Sequence, residues 1–353
     1  MGLPSISQAQ RSITVLFDTN LVTVDTTKVT FAKELPVLVD TVFHVDTVRV
    51  VDTVWVRDTA VTPPPTTSSL SVPFGPTQLY DEATDTWHYG PKPFNFTRDG
   101  STVGTLFTTI AHARKDSVKI ILNLTGGAAS QYLTNGKWDF NKWYSKLKTY
   151  DTKAVKDTIA KAVAEGVVIG YSLQDEPNNP KWGGVMTKAW VDSMARTSKR
   201  IFPTLPTGVT EQYDWRKLSE TYKDLDFQDT QFRYTKGPLL TYRDSAVAVF
   251  KRNGIKPVFS YNLTAGGQRN GTSVTNPATC PFGGEWNDAN TIFLCHAGPD
   301  EIKTVILTFA QAAPCALNTW QAEDWNMNQT YMNAYKFITD SLKKLPKQSC
   351  TRN

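Results

Sequence analysis

The chain has 353 residues, of which 40% are hydrophobic and 20% charged, and its formal net charge is +5. This composition is that of an ordinary globular protein, and the length suits one α/β barrel or two smaller domains. The basic residues are scattered among acids without an arginine-rich block, which argues against nucleic-acid binding. No apolar run approaches the roughly 20 residues of a transmembrane helix. We therefore expect membrane association only through partners or through an N-terminal anchor that precedes residue 1.

Residues 12–62 carry a repeat of Asp-Thr dipeptides. The pairs that begin at Asp40, Asp46, Asp52 and Asp58 keep a six-residue period, and residues 39–44, 45–50 and 51–56 follow the hexapeptide pattern Val-Asp-Thr-Val-x-x. Valine and threonine favour extended backbone, and an even period places the same side chains on the same face of a strand. Valines then lie on both faces of the strand, so the arm cannot bury its own apolar side chains and needs a partner surface. We predict an extended, β-rich arm over residues 1–61, which is either a spacer or a segment that docks on a protein partner.

Residues 62–69 are rich in proline, threonine and serine and predict a linker of polyproline geometry. From residue 70 onwards strand and helix patterns alternate. We count seven strands, and an eighth could lie within residues 75–97. This alternation predicts a parallel sheet with right-handed crossovers, and about eight such units close a barrel. The predicted fold is α/β, a (β/α)8 TIM-type barrel over residues 70–353.

Four cysteines, Cys280, Cys295, Cys315 and Cys350, all lie in the last quarter of the chain. There is no Cys-x-x-Cys pair, histidines are few, and no Gly-x-Gly-x-x-Gly motif occurs, so we expect no metal site and no cofactor. An even number of cysteines favours the disulfides Cys280–Cys295 and Cys315–Cys350, although three connectivities are possible. Four buried thiols in a cytosolic enzyme are the alternative. Disulfides would indicate export to the periplasm or the cell exterior.

An acidic pair follows the apolar run at residues 167–173, which predicts a strand buried on both faces. Asp175 and Glu176 stand at its carboxyl end, and Pro177 ends the strand. Ligands of α/β folds bind at the carboxyl ends of strands. Neighbouring side chains alternate in direction, so at most one of the two acids points into a barrel mouth. Alternatively, these acids cap the following turn and pair with a lysine such as Lys181.

Amide and indole side chains follow other predicted strands. Asn123 and Asn262 begin two similar segments, Asn-Leu-Thr-Gly-Gly and Asn-Leu-Thr-Ala-Gly-Gly, and either bind a polyhydroxylated ligand or cap turns. Glu323 follows the last strand, in the segment Trp-Gln-Ala-Glu-Asp-Trp. Indole faces can stack on sugar rings, and the candidates are Trp182, Trp286, Trp320 and Trp325.

At these residues the chain resembles the glycoside-hydrolase-like (β/α)8 barrels over about residues 70–345. The strand-end motif of that superfamily, often Asn-Glu-Pro, has its counterpart in residues 174–177, Gln-Asp-Glu-Pro, where aspartate replaces the asparagine. The resemblance implies that Glu176 is the general acid/base, with Glu323 as the candidate nucleophile and Asp175 as a further catalytic candidate. In such hydrolysis one carboxyl group is protonated while the other is charged.

Two functions are compatible with these features. The first is an exported carbohydrate-active barrel, a glycoside hydrolase that uses two carboxylates at the strand ends. The alternative is a non-catalytic, membrane-extrinsic structural or accessory subunit of a larger bacterial assembly, such as a membrane photosystem or a surface complex, docked through residues 12–62. The repeat arm favours assembly, whereas the acids and tryptophans favour sugar chemistry. The sequence alone leaves open whether the chain is an enzyme.

Overall fold

The computed structural model describes residues 71–352 except 82–83, 85, 185, 216–219, 265–266, 268, 270–272 and 288–289. Before residue 71 it describes only backbone strands. Ser12–Phe17 pairs antiparallel with Asn20–Asp25, and Leu38–Val45 pairs antiparallel with Val48–Trp55. The chain divides into the units Met1–Thr67 and Ser68–Asn353. The linker predicted over 62–69 lies outside the described residues, and the docking role of 12–62 stays a prediction.

Eight parallel strands of the described residues form the sheet of the second unit. In chain order they are β1 (Phe74–Pro76), β2 (Phe96–Gly100), β3 (Lys119–Asn123), β4 (Val168–Asp175), β5 (Thr207–Thr210), β6 (Phe227–Phe232), β7 (Lys256–Asn262) and β8 (Ala316–Trp320). Their order across the sheet is β1-β8-β7-β6-β5-β4-β3-β2.

The two edges of this sheet meet, because β1 and β2 are joined as well. Thr77 forms a parallel bridge with Arg98. The Asn95 N–H donates to the Phe74 carbonyl at 3.1 Å. The predicted (β/α)8 TIM-type barrel is therefore confirmed. The strand that the sequence patterns did not locate is β2, which begins at Phe96, at the end of the 75–97 interval in which a further strand was expected.

Seven helices of the described residues surround the barrel. They are α1 (Leu106–Asp116), α2 (Phe140–Lys148), α3 (Lys153–Ala164), α4 (Lys188–Ile201), α5 (Leu239–Asn253), α6 (Pro299–Ala310) and α7 (Gln329–Leu342). Several begin at a polar cap, as where the Thr187 hydroxyl accepts from the Trp190 N–H at 3.1 Å. Such caps satisfy N–H groups that a helix leaves without an internal partner. Among these helices none combines the length and apolar character needed to cross a membrane.

The barrel interior changes from apolar to polar along the strands. Phe96 of β2 and Phe227 of β6 belong to a buried apolar cluster inside the ring. Two residues further on, and therefore on the same strand face, stand Arg98 and Asp229, both buried. The interior is thus closed by apolar packing below and lined with polar groups towards the carboxyl ends. The polar groups that could bind a ligand therefore lie at the carboxyl ends of the strands.

The two predicted disulfides are both present in the second half of the barrel. Cys280 is bonded to Cys295 within the long segment between β7 and α6, with Cα atoms 5.3 Å apart. There Gly284–Trp286, Phe293–Cys295 and Ser273–Val274 form a small antiparallel sheet. Cys315 is bonded to Cys350, so the residue before β8 is tied to the C-terminal tail.

Candidate active site

A cavity of about 270 Å³, which we call the mouth cavity, opens at the carboxyl ends of five consecutive strands. β4 and the turn after it supply Asp175, Glu176 and Lys181, and β5 and its exit supply Thr210, Glu211 and Gln212. The remaining lining residues are Gln231 of β6, Asn262 of β7 and Trp320 of β8. The mouth cavity therefore lies where barrels of this class bind ligands.

Glu211 is the buried carboxyl group of the mouth cavity. It directly follows β5 and is only 3% exposed. Its Oε2 accepts from the Asn178 N–H at 3.0 Å and its Oε1 from its neighbour Gln212 N–H at 2.7 Å. Burial raises the pKa of Glu211 to about 7, against the effect of these hydrogen bonds, and the charges of Glu176 and Asp175 add to the shift. A substantial fraction of Glu211 is therefore protonated near neutral pH.

Glu176 is held at the cavity by an unusual backbone conformation. Its φ is +47°, in the left-handed region, which side-chain-bearing residues adopt at a cost of roughly 1–3 kcal/mol. The Glu176 N–H donates to the Thr210 carbonyl at 2.8 Å and so fixes this turn to β5. Its Oε2 accepts from Asn179 Nδ2 at 2.9 Å and lies 3.5 Å from Lys181 Nζ. An ammonium and an amide donor thus contact a half-exposed carboxylate.

Asp175 contacts two cations at the same edge of the barrel. Its Oδ2 lies 3.5 Å from Lys181 Nζ and its Oδ1 lies 3.8 Å from Arg98 Nη2. Asp175 therefore forms the ion pair with Lys181 that was predicted as an alternative to a catalytic role. It also lines the mouth cavity, as a catalytic role requires. Trp182 holds the turn after β4 in place. Its buried indole N–H donates to the carbonyls of Asp175 at 3.0 Å and Glu176 at 3.1 Å.

A buried ion pair forms the floor beneath the cavity. Arg98 donates to Asp229 and to the Thr210 hydroxyl, and Asp229 accepts from the Ser260 hydroxyl. Burial raises the pKa of Asp229, while the positive charge of Arg98 acts in the opposite direction. The Arg98 guanidinium also lies 5.8 Å from the centroid of the Trp320 ring. One side chain from β2 thus positions groups on β4, β5, β6 and β8.

Of the two candidate asparagines, Asn262 lines the mouth cavity and Asn123 is not one of its lining residues. Asn262 Nδ2 donates to Gln231 Oε1 at 3.1 Å, and its Oδ1 accepts from the Thr264 N–H at 3.1 Å. Asn123 ends β3, where Gly126 packs so closely on its amide that a Cβ at residue 126 would lie 2.9 Å from Asn123 Nδ2.

The four candidate tryptophans occupy different environments. Trp320 lines the mouth cavity, whereas Trp182 is buried behind it. Trp286 is 44% exposed on the small sheet after β7. Trp325 stacks on His296 with ring centroids 4.0 Å apart. Of these four described tryptophans, Trp320 is the one that lines the mouth cavity.

Glu323 is not one of the described residues that line the mouth cavity. It is the N-cap of the short helix Asp324–Asn326, in which its own N–H donates to Asn326 Oδ1 at 3.1 Å. Its carboxylate accepts from Trp325 Nε1 at 2.6 Å and from Gln321 Nε2 at 3.0 Å. The role of nucleophile implied for Glu323 stays a prediction, while the acids that share the mouth cavity with Glu176 are Asp175 and Glu211.

Glu211 and Arg98 were missed in the sequence. Glu211 immediately follows a predicted strand, so the rule that selected Asp175 and Glu176 applies to it as well. It has no neighbouring acid or proline to mark it. Arg98 lies on β2, which sequence patterns did not resolve as a strand, so nothing indicated that its side chain enters the barrel.

Among the described residues, no group of three or more His, Cys, Asp or Glu side chains is arranged to hold a metal ion. No protein-family model matches the chain, and no curated protein resembles it in sequence.

Solved structures with a similar fold include several carbohydrate-active proteins. Xylanase 10B from Thermotoga petrophila has 10% sequence identity and a TM-score of 0.45, with 78% of this chain and 95% of that chain covered. A β-1,4-mannanase has 12% identity and a TM-score of 0.44, with 71% and 87% covered. A chitinase-like agglutinin from Robinia pseudoacacia has 10% identity and a TM-score of 0.41, with 75% and 100% covered. The likeness to these structures is one of fold alone.

Proposed function

We propose that the chain is an exported glycoside hydrolase that acts in the mouth cavity. The observation that carries this proposal is the pairing of two different carboxyl groups in one cavity. Glu211 is buried and has a pKa of about 7, whereas Glu176 is half-exposed and contacts Lys181. Glycoside hydrolysis needs one carboxyl group that keeps its proton and one that works in its charged form, and different environments create that difference.

The two groups then take complementary roles. Glu211, protonated, donates to the glycosidic oxygen as the bond to the anomeric carbon breaks. Glu176 either attacks that carbon or removes a proton from the attacking water. Asp175 adds negative charge that favours the protonated form of Glu211. The role of proton donor therefore moves from Glu176, for which the family motif implied it, to Glu211.

The rest of the mouth cavity suits a polyhydroxylated ligand. Gln212, Gln231 and Asn262 supply amide groups, and Trp320 supplies an aromatic face. Amide groups can both donate to and accept from sugar hydroxyls, and an aromatic ring can pack on the apolar face of a sugar ring. The two disulfides suit an oxidising compartment, which supports export.

The test is hydrolysis of a panel of aryl glycosides and β-1,4-linked oligosaccharides by the full chain. We expect turnover by the wild type and a loss of about 10²- to 10⁴-fold in both Glu211→Gln and Glu176→Gln. Glu165→Gln is the control, because this carboxylate pairs with Arg114 at the surface. A folded wild type that cleaves no member of the panel, or a Glu211→Gln variant as active as the control, contradicts the proposal.

A further inference from the structure

Another cavity, which we call the side cavity, is unused by the function proposed above. Its volume is about 550 Å³. The lining residues come from the segment after β1, the end of β2 and the segment after β8. They are Gln78, Tyr80, Asp81, His88, Tyr89, Asp99, Gly100, Gln321 and Ala322.

The side cavity adjoins the mouth cavity along two chain segments. Trp320 lines the mouth cavity, and the next residue, Gln321, lines the side cavity. On β2, Arg98 contacts Asp175 and Trp320 at the mouth cavity, and the next residue, Asp99, lines the side cavity. The mouth cavity uses the ends of β4 to β8, and the side cavity uses those of β8, β1 and β2. Together they extend across the carboxyl face of the barrel.

Aromatic rings and hydrogen-bonding groups line the side cavity. The rings of His88 and Tyr89 are stacked, with centroids 5.6 Å apart and an interplanar angle of 27°. The Tyr89 hydroxyl donates to Asp324 Oδ1 at 2.7 Å, so the segment after β1 is held to the segment after β8. Asp99 is buried and accepts from the Tyr80 N–H at 3.3 Å. Aromatic faces beside carboxylate and amide groups suit the apolar faces and hydroxyls of sugar rings.

We propose that the side cavity binds further sugar residues of the chain whose glycosidic bond is broken in the mouth cavity. The substrate is then an oligosaccharide or polysaccharide, which occupies both cavities at once. This inference rests on the proposed function. The volume, the adjoining position and the aromatic lining support it together.

The test measures binding separately from cleavage. The probes are the disaccharides and hexasaccharides of the β-1,4-linked cello-, xylo-, manno- and chito-series, titrated calorimetrically into the full-length Glu211→Gln protein. We expect at least one series whose hexasaccharide binds about tenfold or more tightly than its disaccharide. Adding Tyr89→Ala should weaken hexasaccharide binding about 5- to 10-fold, which corresponds to the loss of one aromatic contact, and leave disaccharide binding unchanged.

Further variants separate loss of contact from loss of structure. Tyr89→Phe keeps the ring and should retain hexasaccharide binding, while His88→Ala removes an exposed ring of the same stack and should weaken it. Phe337→Ala is the control, because this ring is 55% exposed on α7 and lines neither cavity.

Equal affinity for short and long ligands in every series, absence of binding, or an equal effect of Tyr89→Ala on both lengths overturns the inference. If the wild type hydrolyses aryl glycosides but hexasaccharides bind no more tightly than disaccharides, the proposed role of the side cavity is wrong and the proposed catalysis stands. If hexasaccharide binding depends on Tyr89 but the wild type hydrolyses nothing, the proposed catalysis is wrong and the side cavity remains a sugar-binding site.

Discussion

Arg98 Nη1 lies 3.2 Å from Asp229 Oδ2 inside the barrel, where the two side chains are only 8% and 3% exposed. Arg98 comes from β2 and Asp229 from β6, so the pair spans the interior beneath the mouth cavity. A buried charge is tolerated because its partner and further hydrogen bonds replace water. Thr210 and Ser260 supply those bonds here. The pair therefore stabilises the fold only while both members are present.

We predict that Arg98→Met lowers the free energy of unfolding by about 3–5 kcal/mol, because it leaves the Asp229 carboxyl buried without its partner. Arg98→Met combined with Asp229→Leu should restore part of that loss, since both polar groups are then removed. Urea denaturation of the two single variants and the double variant measures the coupling.

The control for this cycle is Lys153→Met, which breaks an ion pair with Asp157 whose side chains are 88% and 64% exposed. Exposed pairs contribute little, so the change should stay below about 1 kcal/mol. A double variant as unstable as the two single losses added together would show that Arg98 and Asp229 do not act as a pair.

The pH dependence of activity should report the protonation of Glu211. Because a proton donor must carry its proton, kcat/KM should fall as pH rises through about 7, the raised pKa of this group. Glu211→Gln should remove this descending limb together with most of the activity. Initial rates from pH 4 to pH 9 provide the measurement. A descending limb that persists in the residual activity of Glu211→Gln would assign it to another group.

Stability should depend on the same proton. The pKa of Glu211 is about 7 when folded against an ordinary 4.5, so between these values the folded state binds more protons than the unfolded state. The free energy of unfolding should therefore fall as pH rises across this window, by up to about 3 kcal/mol from this group. Urea denaturation at pH 4.5 and pH 8 should show a smaller difference for Glu211→Gln than for the wild type. An unchanged difference would mean that Glu211 titrates normally.

The sequence was informative wherever a local pattern determines the structure. The apolar run before Asp175 predicted a buried strand with an acidic end, and β4 and the mouth cavity match that description. Even cysteine numbers favoured the two disulfides that the structure contains. Glu211 and Arg98 depend instead on which strands are neighbours and on how deeply a side chain is buried. Those properties arise only when the ring of strands closes.

Glu323 offers a test that separates capping from catalysis. Because it caps the helix Asp324–Asn326 and accepts from Trp325, Glu323→Ala should lower the free energy of unfolding by about 1–2 kcal/mol. Activity should stay within about threefold of the wild type below the melting range. Thermal unfolding and initial rates measured on the same sample make the comparison. A loss of 100-fold or more in a folded protein would instead support Glu323 as the nucleophile that the family resemblance implies.

The buried ring of Phe227 leaves no space for a side chain at Gly208 of β5. A Cβ at this position would lie 2.2 Å from Cε2 of Phe227, and the barrel wall leaves that buried ring little room to retreat. We predict that Gly208→Ala lowers the free energy of unfolding by about 2–3 kcal/mol, and that adding Phe227→Leu recovers part of the loss. Gly104→Ala is the matched control, because its nearest neighbour would be 3.7 Å away. If urea denaturation shows equal stabilities for the two alanine variants, the close packing of Phe227 against β5 does not limit this position.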